Sequence, residues 1–180
     1  MTDVQGQQVD LNAFAIAFFE GAHRTVLQSI EGLTDEQLYQ QPSPDTNSIG
    51  WLAWHMSRWK DQFVSYALGE EQVWVTQDWP AKFAVESERT GQGDSLEQVA
   101  AFHPPREVLL GYVEAAQATT IERIARITPE GFLQNAPYAV GRDPRPIWRS
   151  LVGTASDSGQ HAGQIAYLRG LITGFGWRGF

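Results

Sequence analysis

An acid, an imidazole and an amide share one face of the last long helical segment. In TASDSGQHAGQIAYLRG, Asp157, His161, Gln164 and Leu168 fall at i, i+4, i+7 and i+11. Leu168, Ile165 and Leu151 turn this region toward a core, so the polar groups are expected to face inward. Small residues surround them: Gly153, Ala155, Ser156, Ser158, Gly159, Ala162 and Gly163. An interior glycine costs a helix about 1 kcal/mol against alanine, but small side chains let helices approach closely or leave a cavity. In the second long segment, WLAWHMSRWKD, His55 lies between Trp51 and Trp59 at i−4 and i+4. That spacing suggests an apolar pocket wall, built from Trp51 and Trp59, that carries one polar group.

Two side chains at i and i+4 on one helix, with a third from a facing helix, make a metal site without distorting a bundle. His55, Asp157 and His161 are therefore the candidate ligands of a divalent metal. Two imidazoles and one carboxylate leave the other side of the ion open to water or substrate. An ion so held acts as a Lewis acid or lowers the pKa of a bound nucleophile. A plainer reading of the same residues stays open. Asp-x-x-x-His also makes a simple hydrogen bond or ion pair, and aromatic residues at helical spacing also just fill a core. His23, on the first helix, has no placed partner, and His103 belongs to a proline-stopped loop.

Four long helices must position these residues. Asp10 reads as the N-cap of the first, whose apolar residues run from Leu11 to Ile30 before Gly32. Asn47 or Ser48 caps the second, which ends at Gly69. The third runs from about Pro105 to Ile127, and the last from Pro146 to Gly174. Between them, residues 70–93 form a long loop with Trp74 and Trp79, and residues 128–146 form a proline-rich one. VWV at 73–75 is the best strand candidate and is too short to build a sheet. The expected fold is all-α: a four-helix bundle with long connections, in one domain over residues 1–180.

Composition narrows the function. Thirteen basic against twenty-one acidic residues give a net charge of −8, opposite in sign to a nucleic-acid footprint, so no nucleic-acid partner is expected. The sequence contains no cysteine, which removes disulfides, thiolate nucleophiles and cysteine-bound metals from its chemistry. The first ten residues are polar, and no stretch approaches the ~18–20 apolar residues of a membrane span. A cytoplasmic protein with no membrane partner is expected.

NSIGWLAWHMSRWKD and DSGQHAGQIAYLRGLI resemble the two signature stretches of the DinB/YfiT-like superfamily, and the resemblance runs in helix order along the whole chain. It implies a four-helix bundle with a divalent metal at one end, held by one histidine of the second helix and a His-x-x-x-His of the fourth. His55 and His161 match that pattern, whereas Asp157 stands where the family has its other histidine. Aspartate ligates zinc, nickel, manganese or iron, so the resemblance implies a site of altered preference or a degenerate one. Gln164 matches the family's glutamine, with an expected role behind the ligands or in helix packing.

The superfamily includes thiol-dependent maleylpyruvate isomerases and bacillithiol S-transferases. The resemblance thus implies a metal-dependent thiol S-transferase or isomerase, with a low-molecular-weight thiol and a small electrophilic substrate as partners. Arg58, Arg145 or Arg149 would hold a carboxylate, and Trp74 and Trp79 would add to the pocket wall. Pairing as a homodimer, frequent in the family, would suit an exposed aromatic loop. Two alternatives stand beside this reading: a non-catalytic small-molecule-binding or stress-response module, and a metal-dependent hydrolase.

Overall fold

Side chains mark where each long helix starts and stops. The computed structural model describes residues 10–137 and 144–178. Asp10 accepts the amides of Asn12 and Ala13 and opens α1 (Leu11–Ile30), and a Thr34–Gln37 capping box opens the short α2 (Asp35–Tyr39). Ser48 accepts the Trp51 amide at the start of α3 (Ile49–Leu68), and Gly69 ends that helix at φ 68°, a left-handed conformation open to glycine. Three short helices follow: α4 (Val73–Thr76), α5 (Trp79–Phe83) and α6 (Leu96–Ala100). The chain continues through α7 (Arg106–Ala125), the short α8 (Pro129–Leu133) and α9 (Ile147–Thr173), which stops at Gly174.

Among the described residues there is no β-strand, and VWV lies within α4. The all-α expectation holds. Residues 138–143 of the proline-rich connection lie outside the described residues. No helix among the described residues is long and apolar enough to cross a membrane.

The four long helices form the bundle, with α3 and α1 each packed against both α7 and α9. One core cluster gathers Trp54, Trp74, Trp79, Phe83, Phe102 and Tyr112. Ring centroids lie 4.6 Å apart for Trp54–Phe102 and 4.8 Å for Trp74–Tyr112, within the range of favourable aromatic pairs. The expected exposed aromatic loop is therefore corrected. Trp74 is fully buried and Trp79 nearly so, because α4 and α5 fold their rings onto α7. These two tryptophans are core residues rather than an exposed aromatic surface.

Asp61 fastens this turn of chain. It accepts the amides of Val73 (3.0 Å) and Trp74 (2.8 Å) and the Tyr112 hydroxyl (3.2 Å), with Arg58 and Arg123 as its counter-charges. Arg58 is 1% exposed and also donates to Gln72 and to the Arg89 carbonyl. It is thus committed inside the fold, which corrects its candidacy as a substrate clamp.

Lys60 is the third charged residue of α3 that the core encloses, with Arg58 and Asp61. Its ammonium donates to Gln117 Oε1 at 2.5 Å, and burial pushes its pKa down to about 7, against the opposing pull of Asp61 and Glu114. The unfolded chain holds this proton up to the ordinary lysine value near 10.5. The folding penalty is therefore full below pH 7 and relieved as pH rises from about 7 to 10.5. Replacing both partners, Lys60→Met with Gln117→Leu, is expected to raise stability at pH 7 by about 1–4 kcal/mol. The gain should fade by pH 10, as urea denaturation at both pH values would read out. An equal gain at both would refute this account of the penalty.

Candidate metal centre

His55 projects from the middle of α3 toward α9, half-buried between two indoles. The Trp51 ring stacks on it at 4.8 Å and 14°, and Trp59 stands at 5.9 Å on the next turn. Trp51 is buried and Trp59 half-buried, so Trp51 backs the histidine while Trp59 flanks the open side. Nδ1 of His55 donates to the Thr90 carbonyl at 2.5 Å. A carbonyl only accepts, so that bond fixes the proton on Nδ1 and leaves Nε2 with its lone pair. Burial pushes the His55 pKa below its ordinary value, outweighing the Thr90 bond, and keeps the ring neutral.

The Thr90 carbonyl is held by a loop whose residues the sequence patterns did not single out. Arg89 and Asp94 close a two-bond fork (3.1 and 2.7 Å), the Trp51 indole donates to Asp94 at 3.0 Å, and Arg58 holds the Arg89 carbonyl at 3.1 Å. Burial alone would raise the Asp94 pKa, but the bonds from Arg89 and Trp51 hold it below the ordinary value. Gly91 lets this loop lie against α3. Its φ is +89°, and a Cβ there would stand 2.7 Å from the Trp51 ring and 2.9 Å from His55 Nδ1. Gly91→Ala is expected to cost about 2–4 kcal/mol, from left-handed strain and overpacking together. Thermal unfolding checks this, and a cost below about 0.5 kcal/mol would mean the loop does not press on His55.

On α9, His161 and Asp157 face each other one turn apart, with Nε2 3.5 Å from Oδ1 and side-chain exposures of 17% and 28%. Gln164 Oε1 stands 2.7 Å from His161 Nδ1; with the amide so oriented, Nδ1 is again the donor and Nε2 again faces the site. Burial would lower the His161 pKa, but the bonds to Asp157 and Gln164 and the Asp157 charge raise it. This spot therefore favours positive charge. The other Asp157 oxygen, Oδ2, is buried without a partner. The His55 and His161 rings meet edge-on with centroids 5.1 Å apart, so His55 stands beside the Asp157–His161 pair across α3 and α9.

The donor set fits a divalent ion in its chemistry. His55 keeps Nε2 free by committing Nδ1 to the Thr90 carbonyl, the outer arrangement that orients metal-binding histidines, while His161 Nε2 is paired with Asp157. Donor atoms about 2.0–2.2 Å from a tetrahedral ion stand roughly 3.4 Å apart, close to the 3.5 Å between His161 Nε2 and Asp157 Oδ1. Among the described residues, however, no three His, Asp or Glu side chains already converge as a ready-made ligand set. The α9 pair is closed on itself.

The other histidines lie elsewhere. His23 pairs with Glu114 at 3.3 Å, and His103 stacks on Tyr39 at 5.0 Å.

Nothing among curated proteins matches the chain. A conserved protein of Enterococcus faecalis, known from its crystal structure, is similar in fold, with a TM-score of 0.79 and 23% identity over 92% of this chain and 98% of that one. At that identity the likeness shows the fold alone. The family profile that matches residues 19–165 spans α3 and most of α9 with the site between them, and it is that of the DinB superfamily, to which this chain belongs.

Proposed function

We propose that His55, Asp157 and His161 hold a divalent metal, and that the protein is a thiol-dependent S-transferase or isomerase. The observation that carries this reading is the His55 Nε2 lone pair, fixed by the Nδ1 bond to Thr90, beside an α9 pair whose Asp157 Oδ2 is buried without a partner. Members of the superfamily often bind a divalent metal. A metal bound there supplies a Lewis acid that favours the thiolate form of a small thiol at neutral pH. The thiol comes from outside, because the chain has no cysteine.

The chain's own residues supply position and exclusion. Thr90 and Gln164 hold the two imidazole planes, Trp51 blocks one face of His55, and Trp59 flanks the approach to the electrophile's side. Arg149 is exposed on the first turns of α9 and, with Arg145, stays a candidate for a substrate carboxylate. The test is a thermal shift with metal and a cellular thiol such as bacillithiol or mycothiol added together. The thiol is expected to raise stability only in the metal-loaded protein. A thiol effect that is absent, or equal without metal, removes the thiol chemistry.

One observation favours a second reading, a non-catalytic module in which Asp157 and His161 are a structural ion pair: the two already meet at 3.5 Å. Under that reading Asp157→Ala lowers stability equally with and without metal. Under the metal reading it lowers stability mainly where metal is present. A hydrolase using the same centre would turn over activated esters with metal and no thiol.

A further inference from the structure

The second unusual cluster lies on the other side of α3, under the groove between α1 and α7. A cavity of about 690 Å³ there is lined by His23, Leu27, Glu114, Gln117, Ala118 and Ile121, among others. Lys60 reaches this region from α3, 2% exposed, with its ammonium nitrogen on Gln117 Oε1 at 2.5 Å. The facing ionisable groups are His23, Asp61 and Glu114. Two polar atoms of the cluster are buried without a partner: Gln117 Nε2, a donor, and His23 Nδ1. Nε2 of His23 points at the Glu114 carboxylate, which only accepts, so the neutral ring carries its lone pair on Nδ1.

We propose that Lys60 is a carbamylation site, whose neutral amine takes up carbon dioxide and holds it as a carbamate against Gln117 and His23. The Nζ lone pair attacks the carbon of carbon dioxide and forms an N–C bond. One C–O π bond breaks to leave a carboxylate oxygen, and one Nζ proton passes to His23 Nδ1. Amine, carbon dioxide and neutral imidazole become carbamate anion and imidazolium, with no net change of charge and no redox step.

Three features support this. Carbon dioxide reacts with an amine only in its unprotonated form, and burial brings Lys60 down to about 7, so its neutral form is far more populated at pH 7–8 than that of an exposed lysine. A carbamate presents N–H and oxygen side by side, the complement of the Gln117 amide. The existing bond to Oε1 is kept, and the unpartnered Nε2–H gains an acceptor. Burial and the Lys60 charge lower the His23 pKa in the free protein; the carbamate removes that charge, and the protonated His23 then donates from both nitrogens, one to Glu114 and one to the carbamate, so both orphaned atoms acquire partners at once. Burial of the amine itself, at 2% exposure, limits the water and protons that return a carbamate to amine.

The test uses the full chain equilibrated with 13C-bicarbonate at pH 8. It is followed by 13C NMR, by alkylation of the carbamate with a trialkyloxonium salt, and by peptide mass spectrometry. One carbamate is expected, on the peptide that carries Lys60, and none on that peptide in Lys60→Arg. Gln117→Glu places a carboxylate on the amine, holds it protonated and is expected to lower occupancy at least about tenfold. Absence of label from the Lys60 peptide of the unaltered protein under saturating carbon dioxide overturns the proposal, as does equal label in Lys60→Arg. The location of the label in the unaltered chain decides the matter even where a variant does not fold.

Discussion

Asp61→Ala is expected to lower folding stability by about 3–5 kcal/mol, the range for removing one partner from a buried charge cluster. The carboxylate is 1% exposed and stands between Arg58 and Arg123, which are also buried. Its loss leaves two guanidinium groups without their shared counter-charge and removes the acceptor for two amides at the start of α4. The damage should reach the candidate site, because Arg58 holds the Arg89 carbonyl beside Thr90. Urea denaturation measures the stability, and the His55 imidazole NMR shifts report whether the loop still holds the ring. A loss below about 1 kcal/mol would mean the cluster is not what fastens the turn.

His55→Ala should have the second large effect, on ligand affinity rather than on folding. Removing a partner behind a metal ligand costs about 10–100-fold in affinity, the loss expected for Gln164→Ala. Removing a ligand itself should cost at least about 100-fold. With metal at 100 times Kd, binding stabilises the unaltered protein by about 2.7 kcal/mol, and a 100-fold weaker variant keeps about 0.4 kcal/mol at the same concentration. The imidazole is half-buried beside α9, so the metal-free variant should stay folded. A metal-induced shift that survives His55→Ala undiminished would place the ion elsewhere.

The sequence made these features legible to different degrees, for physical reasons. Helix ends were readable because capping is local: Asp10, Ser48, Gly69 and Gly174 act on residues within four positions of themselves. The Asp157–His161 pair was readable because helical periodicity fixes which side chains share a face, whereas His55, on another helix, was joined to it by its place between Trp51 and Trp59 and by the family resemblance. Thr90 and Gly91 were not readable, since they act through a carbonyl and a missing Cβ in a loop without periodicity. Trp74 and Trp79 were misplaced for a related reason. The stretch around them is largely polar, with Glu70, Glu71, Gln72, Gln77 and Asp78, and the long-range bonds from Asp61 to α4 turn that segment into the core. Lys60 escaped notice because a lysine in a helix usually reaches water, and its burial depends on α1 and α7 closing over it.

The proposed divalent-metal site joins α3 and α9. Calorimetric titration of tag-free, metal-stripped protein with zinc, nickel and manganese in turn, paired with elemental analysis after dialysis, tests it most directly. One ion per chain is expected for at least one of these metals, with no stoichiometric binding in His55→Ala. Absence of stoichiometric binding by the unaltered protein for all three metals, or equal binding by the variant, would contradict it.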